Sequence, residues 1–467
     1  MNPQDLILRK QEILLKAMQL DYESFRLSEV AFDYEAMMES TSFTMDEART
    51  IQHQLGVGNT PLLRLDQLST LAKKLAKPGY GATILLKDEA CNLSGSFKAR
   101  RASLSCYMAK KLGYQGVIAA TSGNYGAAVA AMCAKLNLKC IIVQECFDDR
   151  HIGQPEIMEK ARACEAYGAQ VIQLTVGPEL FTVLLDLLDK TGYFNASLYS
   201  PYGVAGVETL GQEIIEQTRN QYHKDPSAVI ITHAGGGNVT ATARGIKKMK
   251  ADSVIVGASV DLSGLSMASD YDFNRKSFTT GHTGFGFPFA QNPDRSDVVF
   301  SAARPLRYLD RYVTVKQGEV FYITEALAKL EGLERGPAGN TALAAAFVLA
   351  QQMKEDELIV VQETEYTGAG KHFNAQLSFA KHMGIRIRVG DPKDEIAGES
   401  IVIPALPSLL RYDEVDLNRM RRSYLNNKFK EISSDELSDV NVAFFMEETR
   451  CTKEEIIRQW EVFCETK

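Results

Sequence analysis

The stretch Ala228-Val229-Ile230-Ile231-Thr232-His233-Ala234-Gly235-Gly236-Gly237-Asn238-Val239-Thr240 decides how this 467-residue chain is read. Its first residues form an apolar run without polar alternation, the pattern of a strand covered on both faces in a parallel sheet. Three glycines follow, and a helical run through Arg244 and Ile246 opens behind them. Consecutive glycines let backbone N–H groups converge, and at a helix N-terminus such groups hold a phosphate. A dinucleotide fingerprint is the rival reading, because Gly235-x-Gly237 and Asp261 at the end of the next strand imitate it. Thr240, however, stands where the third glycine of that fingerprint belongs.

The same rhythm extends in both directions. Short apolar runs at 83–87, 116–120, 139–143 and 170–174 precede the glycine stretch, with helical patterns at about 125–136 and through Ala166; further runs follow at 253–257 and 357–361. Alternation of this kind predicts an α/β fold of two three-layer domains with mostly parallel sheets and ligands at the strands' carboxyl ends. The expected organisation is an N-terminal helical extension (1–55), a large domain (56–95 and 207–385), a small α/β domain (96–206) and a mainly helical C-terminal extension (386–467). Leu6, Ile13, Leu14, Ala17 and Leu20 lie near helical spacing in the first segment. Beyond Arg386 the strand rhythm fades around Pro392, Pro404 and Pro407, and a capping box of Thr452 and Glu455 opens the last helix.

Composition narrows the partners. Hydrophobic residues at 45% and charged residues at 24% suit a globular chain and argue against large-scale disorder. A net charge of −7 supplies no basic field for nucleic acid or anionic lipid. Met1-Asn2-Pro3-Gln4-Asp5 lacks a secretory layout, Arg9, Lys10, Glu12 and Lys16 interrupt the run behind it, and no apolar stretch is long enough to span a bilayer. A cytoplasmic protein is expected. The eight cysteines contain no C-x-x-C pair, so buried thiols are expected rather than a metal or disulfide framework.

Four more turns carry candidate chemistry, and each has a plain structural reading beside it. Asn92-Leu93-Ser94-Gly95-Ser96-Phe97-Lys98 puts a lysine at the start of a helix, where the helix's positive end favours a free amine; an exposed first-turn lysine reads the same way. Thr121-Ser122-Gly123-Asn124-Tyr125-Gly126 joins a strand to a helix and can hold a carboxylate or simply cap the helix. The segment 333–341 leads into an apolar helix, and Gln362-Glu363-Thr364-Glu365-Tyr366-Thr367-Gly368-Ala369-Gly370-Lys371 is a glycine turn after the strand that ends near Val361. Arg100, Arg101, His282 and Lys371 are candidate polar ligand contacts, with solvated surface positions as the expected reading.

Taken together and in order, Gly58-Asn59-Thr60-Pro61-Leu62, Ser96-Phe97-Lys98, Ser122-Gly123-Asn124, the Gly235–Asn238 loop and Thr367-Gly368-x-Gly370 resemble the fold type II pyridoxal phosphate enzymes, which include cysteine synthase, threonine synthase, tryptophan synthase β and diaminopropionate ammonia-lyase. The resemblance covers about 56–385. It implies a pyridoxal 5'-phosphate cofactor bound to Lys98 as a Schiff base, with Lys98 also the catalytic base. It further implies Asn124 beside the cofactor's phenolic oxygen, Gly235, Gly236, Gly237 and Asn238 as the phosphate cup, and Thr367 at the pyridine nitrogen. Thr121, Ser122, Gly123, Asn124 and Tyr125 are the implied substrate-binding residues. Ala99 after the lysine and Arg335-Gly336-Pro337 depart from cysteine and threonine synthases.

The long N-terminal layer, the 363–371 segment and the C-terminal extension are similar to the large-subunit family of 2-amino-4-oxopentanoate thiolases. That similarity implies an acyltransferase of amino-acid (ornithine) degradation that cleaves its substrate with coenzyme A to acetyl-CoA and alanine. It also implies a separate small subunit and a homo-oligomer of the large one. The alternative is a lyase or synthase acting by α,β-elimination or replacement, of diaminopropionate ammonia-lyase or threonine synthase type.

Overall fold

Uninterrupted apolar runs become the interior strands of two sheets. The structure is a computed structural model that describes residues 3–121, 123–148, 150–153, 155–177, 179–262, 277–279, 287–294, 296–366, 373–434 and 437–466. Its strands are β1 (Leu62–Arg64), β2 (Thr83–Asp88), β3 (Gly116–Thr121), β4 (Lys139–Phe147), β5 (Gln170–Thr175), β6 (Phe194–Asn195), β7 (Ala228–Thr232), β8 (Val254–Val260), β9 (Arg311–Val315), β10 (Leu358–Glu363), β11 (Arg386–Gly390), β12 (Ser400–Pro404) and β13 (Asp413–Glu414).

The larger sheet runs β1-β2-β10-β7-β8-β9-β13, with a parallel interior and antiparallel edges at β1 and β13. The late strand β10 sits between β2 and β7, Val361 level with Leu86 on one side and Ile230 on the other. Three stretches distant in sequence thus end side by side. The smaller sheet, β5-β4-β3-β6, is parallel throughout. Every residue of β3 and of β10 is buried, as strands covered on both faces should be. The α/β arrangement expected from the sequence is therefore found.

Helix Pro201–Tyr222 links the two halves of the site. Glycines let it approach its neighbours at backbone distance: a Cβ on Gly206 would lie 2.3 Å from the Arg100 carbonyl oxygen, and one on Gly211 would lie 2.2 Å from that of Thr242. The helix that carries Lys98 and the helix behind the three glycines are both fixed against this one element.

The terminal layers pack onto the body. Leu6, Ile13, Leu14 and Ala17 bury against Leu180, Leu184, Leu185 and Leu188 of helix Glu179–Thr191. Gln52 donates to the carbonyls of Arg100 (3.1 Å) and Gly206 (2.6 Å), so the N-terminal layer also braces the lysine helix. At the other end Phe429, Phe445, Trp460 and Phe463 form an aromatic cluster. Beyond 386 the strand rhythm persists further than the sequence suggests, since β11 and β12 pair in parallel and β13 adds an edge to the larger sheet. Pro392 and Pro407 lie in short turns that flank these strands and Pro404 closes β12, which masks their periodicity. Among the described residues no helix is long and apolar enough to cross a membrane.

Candidate active site

Lys98 is the first residue of helix Lys98–Lys111, and the turn before it is pinned to the end of β10. Ser94 and Gly95 take left-handed backbone angles (φ 63° and 71°) that reverse the chain. Phe97 N then donates to Thr364 O at 3.0 Å, and Tyr366 N to Gly95 O at 2.8 Å. The amine is pushed down to about 8, first by burial and next by the neighbouring Arg101 charge. Burial is thus a larger cause of a readily freed amine than any neighbouring side-chain charge. As a residue Lys98 keeps partial solvent access.

β3 delivers Thr121 and the start of helix Asn124–Leu136 to the same place. Thr121 Oγ1 accepts from Gly123 N at 3.1 Å and Gly126 N at 3.3 Å, which holds the turn in shape. Asn124 is buried and its amide donates to the Glu365 carboxylate, just past β10, while its Oδ1 has no protein partner among the described residues. Tyr125 donates to Ala196 O at 2.8 Å with its ring enclosed, so its hydroxyl is committed to the core.

β7 leads into the glycine turn, and helix Gly237–Lys248 starts behind it. Gly236 has φ 85°, which favours glycine. A Cβ on Gly235 would lie 2.4 Å from the Tyr199 hydroxyl, and one on Gly237 2.8 Å from Arg101 Nη2. Asn238 accepts from Gln362 Nε2 of β10 at 2.9 Å, and its own Nδ2 has no protein partner among the described residues. Asp261, the acid of the rival dinucleotide reading, pairs with Lys316. Ser122, Thr367, His282 and Lys371 lie outside the described residues.

Lys98, Asn124 and Gly237 are linked through Glu365, to which the sequence assigned no role and which takes the Asn124 amide, and through Arg101, a candidate ligand contact in the sequence, whose guanidinium lies against Gly237. Arg100 and Arg101, expected on the surface, are buried at 0% and 4% exposure. The three-residue interval from Lys98 to Arg101 was the available signal, since it puts both on one helix face. Pyridoxal phosphate fits these residues. The glycine turn offers backbone amides at a helix N-terminus, Lys98 offers a depressed amine, and the Ser94, Ser96, Asn124 and Asn238 side chains keep buried polar atoms with no protein partner among the described residues.

The chain matches the pyridoxal-phosphate dependent enzyme family over residues 53–365 and belongs to it. It is 63% identical over 443 residues to a 2-amino-4-ketopentanoate thiolase beta subunit from an unknown prokaryotic organism, covering 95% of this chain and 94% of that one. It is 59% identical over 446 residues to the protein of the same name from Acetoanaerobium sticklandii, covering 96% and 95%. Among solved structures, serine racemase from Dictyostelium discoideum shares the fold at a TM-score of 0.54 and 18% identity, covering 69% of this chain and 98% of that one.

Proposed function

We propose that this chain is the cofactor-carrying large subunit of an enzyme that cleaves 2-amino-4-ketopentanoate (2-amino-4-oxopentanoate) with coenzyme A, giving acetyl-CoA and alanine, together with a separate alpha subunit. The observation that carries the reading is the extent of the likeness. Identity to the two thiolase beta subunits runs over 95–96% of the chain, terminal layers included, whereas the racemase fold covers 69%. A cytoplasmic location and a homo-oligomer of the large subunit belong to the same proposal; the eight cysteines are all free thiols, which suits a reducing compartment.

The chemical problem is the electron pair left on C3 when the C3–C4 bond breaks. Bound pyridoxal phosphate supplies an electron sink conjugated to the substrate nitrogen. The Lys98 amine, depressed to about 8, is available unprotonated near neutral pH to hold the cofactor and then to take the α-proton. Gly235, Gly236, Gly237 and Asn238 would hold the cofactor's phosphate at the helix N-terminus, Asn124 would stand beside its phenolic oxygen, and the 121–124 turn would receive the substrate carboxylate. The coenzyme A thiolate would attack the C4 carbonyl and keep the acetyl group on sulfur as the C3–C4 bond breaks; the proton shed by the thiol would go to C3 and Lys98 would return its own proton to the α-carbon, so that alanine forms with protons in balance.

The reading is tested by assaying acetyl-CoA with the chain alone and with its alpha subunit, at equal cofactor occupancy. Acetyl-CoA formation only with both supports it. Full activity of the isolated chain removes the two-subunit part, and release of a keto acid and ammonia, without coenzyme A, from an amino acid that carries a leaving group on Cβ points to the elimination chemistry of the ammonia-lyase type.

A further inference from the structure

Arg101 is a buried guanidinium with an unmet charge. Its Nη1 donates to the Leu198 carbonyl at 2.7 Å, and among the described residues its Nε has no hydrogen-bond partner and no carboxylate pairs with it. A guanidinium does not shed its proton inside a protein, so its charge needs an anion. The group it touches is also positive. A Cβ on Gly237, the first residue of the helix behind the glycines, would lie 2.8 Å from Nη2 and 3.2 Å from Nη1. The guanidinium therefore lies beside the first turn of that helix, where backbone amides lack intrahelical acceptors. Two facing positive groups are a stable arrangement when an anion sits between them.

Position along the helix identifies that anion. Lys98 and Arg101 are three residues apart on helix Lys98–Lys111, so their side chains project from one face about 5–6 Å apart at Cβ. The aldehyde and phosphomethyl groups of pyridoxal phosphate sit on adjacent ring carbons. A ligand held at its aldehyde by Lys98 thus carries its phosphate within reach of the residue one turn on. In coenzyme A the phosphates are a full pantetheine arm from the reacting sulfur, which does not match this spacing.

We propose that Arg101 is a direct cationic ligand of the cofactor's phosphate, closing from the lysine helix the cup that Gly235, Gly236 and Gly237 open from the other side. The proposal rests on pyridoxal phosphate occupying this site and not on which substrate is cleaved.

The test uses the full chain stripped of cofactor, as wild type, Arg101→Gln and Arg101→Lys, and compares affinities for pyridoxal phosphate and for pyridoxal, which lacks the phosphate. A lost charge-assisted hydrogen bond corresponds to a loss of about 10- to 100-fold in affinity. Arg101→Gln is expected to lose that much for pyridoxal phosphate and far less for pyridoxal, whose capture changes only through the Lys98 amine, with Arg101→Lys in between. Inorganic phosphate is expected to raise the thermal midpoint of the stripped wild type and not that of Arg101→Gln. Unchanged pyridoxal phosphate affinity overturns the proposal, and so does an equal loss for both compounds, which marks a structural role. A loss of coenzyme A binding alone also overturns it, since the guanidinium then serves another phosphate. Should Arg101→Gln fail to fold, a fall in the ratio of the two affinities in Arg101→Lys decides the matter. No readout requires turnover, so failure here leaves the thiolytic reading standing.

Discussion

Arg100 and Arg101 are neighbours on one helix, equally deep, and they meet burial in opposite ways. Arg100 donates to Glu89 at 2.7 and 2.8 Å and to Glu213 at 2.9 and 2.8 Å, and Lys87 adds a 2.8 Å bond to Glu213. Burial works against both charges, but the carboxylates hold the Arg100 guanidinium well above its ordinary value, and Arg100 and Lys87 hold the Glu213 carboxyl well below its own. One position on, burial pulls Arg101 down and no carboxylate among the described residues opposes it. The closed set of charges fixes the turn that precedes Lys98. The open set, Lys98 with Arg101 and the glycine amides, is arranged to take a ligand.

The sharpest way to separate the two faces is Lys98→Ala. Turnover is expected to fall by more than about 10³-fold, because nucleophile and proton acceptor go together. The urea midpoint of the cofactor-free chain should hold or rise, since a buried amine is a cost to the fold. Near-wild-type turnover would remove Lys98 from the chemistry.

Arg100→Met should do the reverse and strike the fold first. It leaves Glu89 and Glu213 buried with Lys87 as their remaining cation, and removing one partner from such a set costs about 3–5 kcal/mol. The measurement is urea unfolding of the cofactor-free chain. A loss below about 1 kcal/mol, the range of surface ion pairs, would mean the cluster is not a structural clamp.

The contrast between these arginines also marks where the sequence stops being legible. Strand runs such as 228–232 and 357–361 announce a parallel sheet because strands buried on both faces carry no polar alternation, and the glycine turn announces a helix start, since Gly236 takes a left-handed angle just before helix Gly237–Lys248. Nothing in Lys98-Ala99-Arg100-Arg101 reveals that both arginines are buried, since their partners come from residues 89, 198, 213 and 237 and depend on how helix Pro201–Tyr222 seats itself. Glu365 is hidden for the same reason: its importance comes from Asn124, which lies 241 positions away in sequence. Local chemistry reads directly, while pairing across the two sheets needs the fold.

The smallest expected effect is a shift in titration, and it tests whether the open set is electrically connected. In the cofactor-free chain the Lys98 amine is depressed to about 8, with burial the larger cause and Arg101 the second. The free amine is the reactive form, so covalent capture of pyridoxal phosphate should speed up as pH rises through about 8 and level off above it. The same depression has a stability consequence. The unfolded chain keeps this proton up to the ordinary lysine value of about 10.4, so between the two values it binds more protons than the folded chain, and stability from this group rises with pH across that window. Arg101→Gln removes the second cause and leaves the first. The midpoint of capture should therefore move upward by less than burial displaces it, and stay below the ordinary lysine range. A stopped-flow pH series on wild type and variant measures both midpoints. An unmoved midpoint in the variant would separate Arg101 from Lys98 electrically, and a wild-type midpoint in the ordinary lysine range would mean that the amine is not held in a buried setting at all.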